Sequence, residues 1–138
     1  MNDYDLPLNT VLTNKEITEI FGCQFEGGIR KSKKNHLLVL INDSNQRLYQ
    51  NYWENGTLYF TSIGKEGDQS LASPWQNREL SQVHESQQRT FLFNKLKPAH
   101  YQYLGEVTVG TPQESQQKDS NGQMRRVYLF PLTLKNKA

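Results

Sequence analysis

Hydrophobic positions in this chain come in short groups, and their spacing changes along it. Ile17, Ile20 and Phe21 recur at i, i+3 and i+4, which places them on one face of a helix. Thr13 and Glu16 stand just before them, three residues apart, where a hydroxyl and a carboxylate can satisfy the free N–H groups of a first helical turn. Gly22 can end the element. The pattern predicts a short helix near 14–21. From Gln24 to Lys34 the chain is polar and contains Gly27-Gly28, which reads as a loop. Leu37-Leu38-Val39-Leu40-Ile41 is a continuous apolar run too short for a helix and reads as a strand buried on both faces.

Beyond that run, Asn42 to Asn45 has turn chemistry. Arg47 to Trp53 and Thr57 to Ser62 form an expected hairpin around Asn55-Gly56. Asp68 to Val83 is polar, with helical character near Asn77 to Val83. Further strands are expected at Thr90–Leu96, Tyr101–Val109 and Val127–Leu134. The interval near 110–123, rich in Gln, Ser, Asp and Gly, reads as a long exposed loop with Asn121-Gly122 at its tip. Strands outnumber helices. One domain over 1–138 of mainly β (α+β) class is expected, a curved sheet or small open β-barrel with one or two short flanking helices.

Composition supports that outline. Only 35% of the 138 residues are apolar and the mean hydropathy is −0.81, which suits half-buried strands better than a helical bundle. No apolar run approaches the roughly 18 residues of a membrane span, and Met1-Asn2-Asp3 begins no secretory signal. The single Cys23 excludes an internal disulfide and any metal site built from several cysteines, so a reducing cytoplasm is the expected setting. Net charge is only +2. The cations are nevertheless clustered: Arg30, Lys31, Lys33 and Lys34 fall together, Arg125-Arg126 form a pair, and Lys135 and Lys137 lie near the end.

Candidate chemistry concentrates between Tyr49 and Leu71. Tyr49, Tyr52, Trp53, Tyr59 and Phe60 stand there beside amide, hydroxyl and glycine positions. Flat π-faces next to small hydrogen-bonding groups can hold a planar ligand with polar edges, such as a nucleobase. The same aromatics on a hairpin can equally be cross-strand core pairs. Trp53 and Trp75 are expected to be core or loop anchors. Arg30, Ser32, Lys33 and Lys34 are candidate phosphate contacts, with Gly27 and Gly28 permitting close backbone approach. Lys65, between Gly64 and Gly67, belongs to a turn that could present N–H groups to a phosphate. Asp68, Gln69 and Asn77 read as structural support, since buried amides that brace loops are common. His36, His84 and His100 are widely spaced, and no metal-ligand pattern joins them. The chain has no H-E-x-x-H, G-x-S-x-G or P-loop motif. No catalytic residue, metal or cofactor is therefore assigned.

Four segments in order, GGIRKSKKNHLLVLI, YQNYWENGTLYFTSIGKEGDQSL, QNREL and YQYLGEVTV, together resemble the SET- and RING-associated (SRA) domain. The similarity spans roughly Glu26 to Leu134, and the branch it resembles is the SRA-like domains attached to bacterial HNH endonucleases that cut modified DNA. The resemblance implies a PUA-like β-barrel that grips double-stranded DNA and rotates a modified cytosine out of the duplex into an aromatic pocket. Tyr49 and Phe60 would be the two rings and Thr61 would contact the base edge. Asn51, Tyr52 and Ser62 would complete the base-binding set, and Arg30, Lys31, Ser32, Lys33, Lys34 and Lys65 the DNA-backbone set. Asn51 and Tyr52 stand where the family carries a base-reading acid, and Ser62 stands in place of a glycine, so the modification need not be a simple 5-methyl group.

The expected function is accordingly that of a non-catalytic reader of 5-methyl-, 5-hydroxymethyl- or otherwise modified cytosine. Its partners would be modified duplex DNA and a fused or separate nuclease domain, without a membrane and within a bacterial or archaeal cytoplasm, near the nucleoid. Two other readings stay open: a PUA-like binder of RNA or modified RNA, and a small nuclease.

Overall fold

The structure is a computed structural model that describes residue 4, residues 6–43, residue 45 and residues 48–135. Its order is β1 (Val11–Leu12), α1 (Asn14–Phe21), β2 (Ile29–Ser32), β3 (Leu37–Asp43), β4 (Tyr52–Glu54), β5 (Thr57–Thr61), α2 (Trp75–Ser81), α3 (Val83–Ser86), β6 (Arg89–Lys97), β7 (His100–Val109), β8 (Gln113–Lys118) and β9 (Met124–Leu134). The molecule is mainly β, as the residue pattern predicts. One curved mixed sheet runs β2-β3-β6-β7-β9-β5-β4, with β1 added to β7 and β8 to β9. β3 and β6 are parallel and the other described pairs antiparallel. Curvature enters at β7, where a register shift opposite Leu92/Phe93 adjoins Gly105, whose φ of 113° suits a residue without Cβ. That bend lets β7 pair with β6 along one half and with β9 along the other.

The apolar run of β3 is buried on both faces because each face meets its own core. Leu38 and Leu40 join Leu58, Phe60, Leu92, Phe130 and Leu132 on the concave side, closed by Leu80 and Val83 of the α2–α3 segment. Leu37, Val39 and Ile41 join Phe91, Phe93, Tyr101 and Tyr103 on the other side, under Ile17 and Phe21 of α1. Helix α1 starts with the expected capping box between Thr13 and Glu16 and stops at Gly22 in the left-handed conformation.

Three sequence expectations are corrected. The interval 110–123 is not a long loop: Gln113–Lys118 pairs with Met124–Leu129 as a hairpin. Its strand is almost wholly polar because one face is open to solvent, and so it carries no apolar signature. Residues 29–32, assigned to a loop, form β2 on β3. Trp53 is no anchor, being 43% exposed on the short edge strand β4. The hairpin at Asn55-Gly56 stands, with both residues at positive φ. Its first strand was expected from Arg47, a position outside the described residues, as is Lys137.

Candidate nucleobase-binding cavity

A cavity of about 370 Å³ opens where the C-terminal end of β3, the start of β2 and the end of β5 converge. Tyr49, Asn51, Phe60 and Thr61 line it, with Ile63 beside them. β5 positions Phe60 through alternation: Leu58 and Phe60 point to the concave core, and Tyr59 points away from it. Phe60 is 2% exposed, so its ring belongs to the core while bordering the cavity. Tyr49, half-buried, accepts a hydrogen bond at its hydroxyl from the Gly64 N–H, 3.1 Å away.

Polar groups at this end are largely engaged by the fold. Asn51 accepts from the Thr61 N–H at 2.7 Å and donates through Nδ2 to Asn42 Oδ1 at 3.0 Å, so its amide braces β5 against β3. The Thr61 hydroxyl accepts from Gln117 Nε2 at 3.1 Å. Gln117 is a residue that sequence reasoning missed, because its strand was read as loop. Tyr52 does not line the cavity. It sits opposite Tyr59 on the outward face, the rings stacked at 5.0 Å and 19°. Ser62 does not line it either; it is fully buried and bonded to Gln69 and to the Tyr128 N–H. Strand alternation and this buried network keep Tyr52 and Ser62 off the cavity wall.

The residues read as structural support make extensive bonds. Asn77, fully buried, accepts from the Ile63 N–H at 2.7 Å and donates to the carbonyls of Ile63, Ser70 and Ser73. Gln69 donates to the carbonyls of Ser62 and Gly64. Asp68 accepts from the Arg126 N–H at 2.7 Å. The loop from Ser62 to Ser70 behind Tyr49 and Phe60 is thus held from several directions.

The basic set is dispersed by the fold. Arg30 lines the cavity but is 4% exposed, bonded to the Gly27 carbonyl and to Asn14, with its guanidinium 5.7 Å from the Tyr101 ring centroid. Lys31 pairs with Glu79 at 2.9 Å, and this hydrogen bond holds the Glu79 carboxyl below its ordinary pKa. Ser32 is fully buried and accepts from the Asn35 N–H. Lys33 and Lys34 are exposed in the turn joining β2 to β3, whereas Gly27, Gly28, Ile41 and Asp43 at the opposite ends of those strands line the cavity. At about 3.3 Å per residue the separation is on the order of 15 Å. Lys65 is exposed in the loop after Gly64, near Tyr49. Sequence reasoning also missed Asp43, Leu48, Lys95 and Tyr101, all on the cavity wall. Their signal lies in strand pairing, which one sequence does not display.

Among the described residues no group of three or more His, Cys, Asp and Glu side chains could hold a metal ion, and no helix is long and apolar enough to cross a membrane.

A family model described as the ScoMcrA-like SRA domain matches residues 9–135. No match was found among curated proteins. Among solved structures, one of the sulfur-binding and SRA domains of ScoMcrA complexed with phosphorothioated DNA superposes with a TM-score of 0.72 at 14% identity, over 94% of this chain and 40% of that one. The DNA modification-dependent restriction endonuclease AspBHI gives 0.74 at 14% identity, over 99% and 44%. The SUVH5 SRA domain in complex with fully methylated CG DNA gives 0.63 at 16% identity, over 96% and 98%. The chain thus spans less than half of the first two and nearly all of the third.

Proposed function

Since the chain belongs to the ScoMcrA-like SRA domain family, we propose that it reads a modified cytosine in duplex DNA by rotating the base into the cavity between Tyr49 and Phe60. The observation that carries this reading is that Tyr49, in the loop before β4, lines one cavity with Phe60 and Thr61 at the end of β5. Stacking contributes about 1–3 kcal/mol per base, and extrusion costs a few kcal/mol. Ring contacts therefore roughly offset flipping, and phosphate contacts supply the remaining affinity. The loops fixed by Gln69 and Asn77 keep the cavity in shape before the base arrives, which lowers the ordering cost of binding. The domain acts here as a recognition module without chemistry of its own, and cleavage belongs to a fused or partner nuclease.

Matched duplexes with cytosine, 5-methylcytosine or 5-hydroxymethylcytosine at one position test the proposal by equilibrium binding. Tighter binding of at least one modified duplex is expected. Equal affinity for all three overturns it.

A further inference from the structure

The cavity has two ends of different chemistry, on opposite faces of the sheet. Phe60 and Asn51, through its bond to Asn42, belong to the concave face. Ile41, and by alternation Asp43, face the α1 side, where Tyr101 also packs. At that second end, Asp43 lies opposite Lys95 in the β3–β6 ladder, and Lys95 lies opposite Tyr101 in the β6–β7 ladder. Three adjacent strands therefore set a carboxylate, an ammonium and an aromatic ring in one row. All three residues line the cavity.

The charged pair is assembled but keeps hydrogen-bonding capacity. Asp43 Oδ2 and Lys95 Nζ are 3.7 Å apart, an ion pair too long for a good hydrogen bond. Asp43 Oδ1 accepts from the Asn45 N–H at 3.0 Å. A carboxylate offers about four lone-pair sites and an ammonium three donors. The pair can accept from and donate to the same incoming group. Both side chains are about 30% exposed, at 28% for Asp43 and 30% for Lys95, and so are reachable. By contrast, Asn51 and Thr61 at the ring end already serve the fold.

The pair also restricts the ligand. A phosphate is repelled by the Asp43 carboxylate, and a bare methyl gains nothing there while displacing water from two charges. A neutral hydroxyl donates to Asp43 and accepts from Lys95. Cavities of about 300 Å³ and more hold ligands beyond the size of one pyrimidine ring, and this one has about 370 Å³. Resting on the reading that a modified cytosine occupies the ring end, we propose that Asp43 and Lys95 form a second subsite for a hydroxylated substituent on that base long enough to pass from one end of the cavity to the other, of the size of a sugar.

The test is a binding panel with one target position carrying cytosine, 5-methylcytosine, 5-hydroxymethylcytosine or its glucosylated form. The wild-type domain is expected to bind the glucosylated duplex about tenfold or more tighter than the methylated one, the scale of hydrogen bonds to charged groups. Asp43→Ala and Lys95→Met should each remove that preference, read as the ratio of the affinities for the glucosylated and methylated duplexes, since both residues line the cavity. Asp43→Asn, which keeps an acceptor and the side-chain volume, should retain part of it, with thermal melting confirming the fold. Wild-type affinity for methylcytosine equal to or above that for the glucosylated form overturns the subsite but leaves the reader function standing. So does a hydroxyl preference that survives in both Asp43→Ala and Lys95→Met, or an equal loss for all modified duplexes. A wild type that prefers no modified duplex overturns the reader function and the subsite with it.

Discussion

Tyr49 and Phe60 border the same cavity but differ in what else depends on them. Phe60 is part of the concave core, so Phe60→Ala should cost about 3–5 kcal/mol of stability in addition to any binding effect. Denaturant unfolding would measure that loss. Tyr49 is half-buried and accepts from the Gly64 N–H at its hydroxyl. Tyr49→Ala should weaken the modified duplex roughly 5- to 150-fold, the equivalent of about 1–3 kcal/mol of stacking, with a much smaller change in melting temperature. Tyr49→Phe, which keeps the ring, should retain most of the affinity. Asn77 shows the opposite balance. It is not itself on the cavity wall, yet Asn77→Ala strands the N–H of the lining residue Ile63 and several carbonyls. Unsatisfied buried groups cost about 1–3 kcal/mol each, so this variant should lose roughly 3 kcal/mol or more in the same unfolding measurement.

At the scale of elements, direction along a strand decides which cations stand beside the cavity mouth. The β2–β3 turn carries Lys33 and Lys34 at the far end of both strands, while Lys65 follows Gly64 and Lys97 lies two residues beyond the cavity-lining Lys95. Each neutralised phosphate contributes about 0.9 to the slope of log K against log salt. Lys65→Ala and Lys97→Ala should each lower that slope by about 1 and weaken all duplexes alike, whereas the Lys33→Ala, Lys34→Ala double variant should leave it unchanged. Salt titrations of binding would separate the two sets. The β8–β9 hairpin has a comparable structural role. Gln117 reaches Thr61 and the Gln50 backbone, and Asp119 accepts from the Gly67 N–H, so this polar hairpin braces the loop behind the cavity.

For the whole molecule, the acid response follows from carboxylates paired with cations. Arg89 bonds Glu106 through two nitrogens, at 2.9 and 3.0 Å, and Lys135 adds a contact at 3.3 Å. The bonds to Arg89 hold the Glu106 carboxyl below its ordinary pKa. A depressed carboxyl pKa stabilises the fold fully above the unfolded value of about 4.3, and that contribution is lost as pH falls through the lower folded value. Glu79, held down chiefly by Lys31, responds with the same sign. Stability should therefore fall as pH is lowered below about 4.5, and Glu106→Gln should flatten the fall. Thermal melting across that range would show it. The network around Glu106 joins β6, β7 and the segment after β9 on the side of a second cavity, which Glu106, Arg89 and Lys135 line, so its protonation should change stability more than base discrimination.

The residue order by itself determined the mainly β class, helix α1 with its cap, the buried strand at Leu37–Ile41 and the Asn55-Gly56 hairpin. Each of these is written in local spacing: a 3.6-residue stripe, a capping pair, an unbroken apolar run, a left-handed turn. The aromatic segment also showed where to look, because Tyr49, Phe60 and Thr61 lie within one stretch of chain. Only the tertiary structure decided that Tyr52 and Ser62 turn away from the cavity, that the basic run splits between a buried Arg30 on the cavity wall and Lys33 and Lys34 in the distant β2–β3 turn, and that Asp43, Lys95 and Tyr101 form a row across three strands. Facing and register come from which strands pair and how the sheet curves, and those are long-range contacts that no local window of sequence contains.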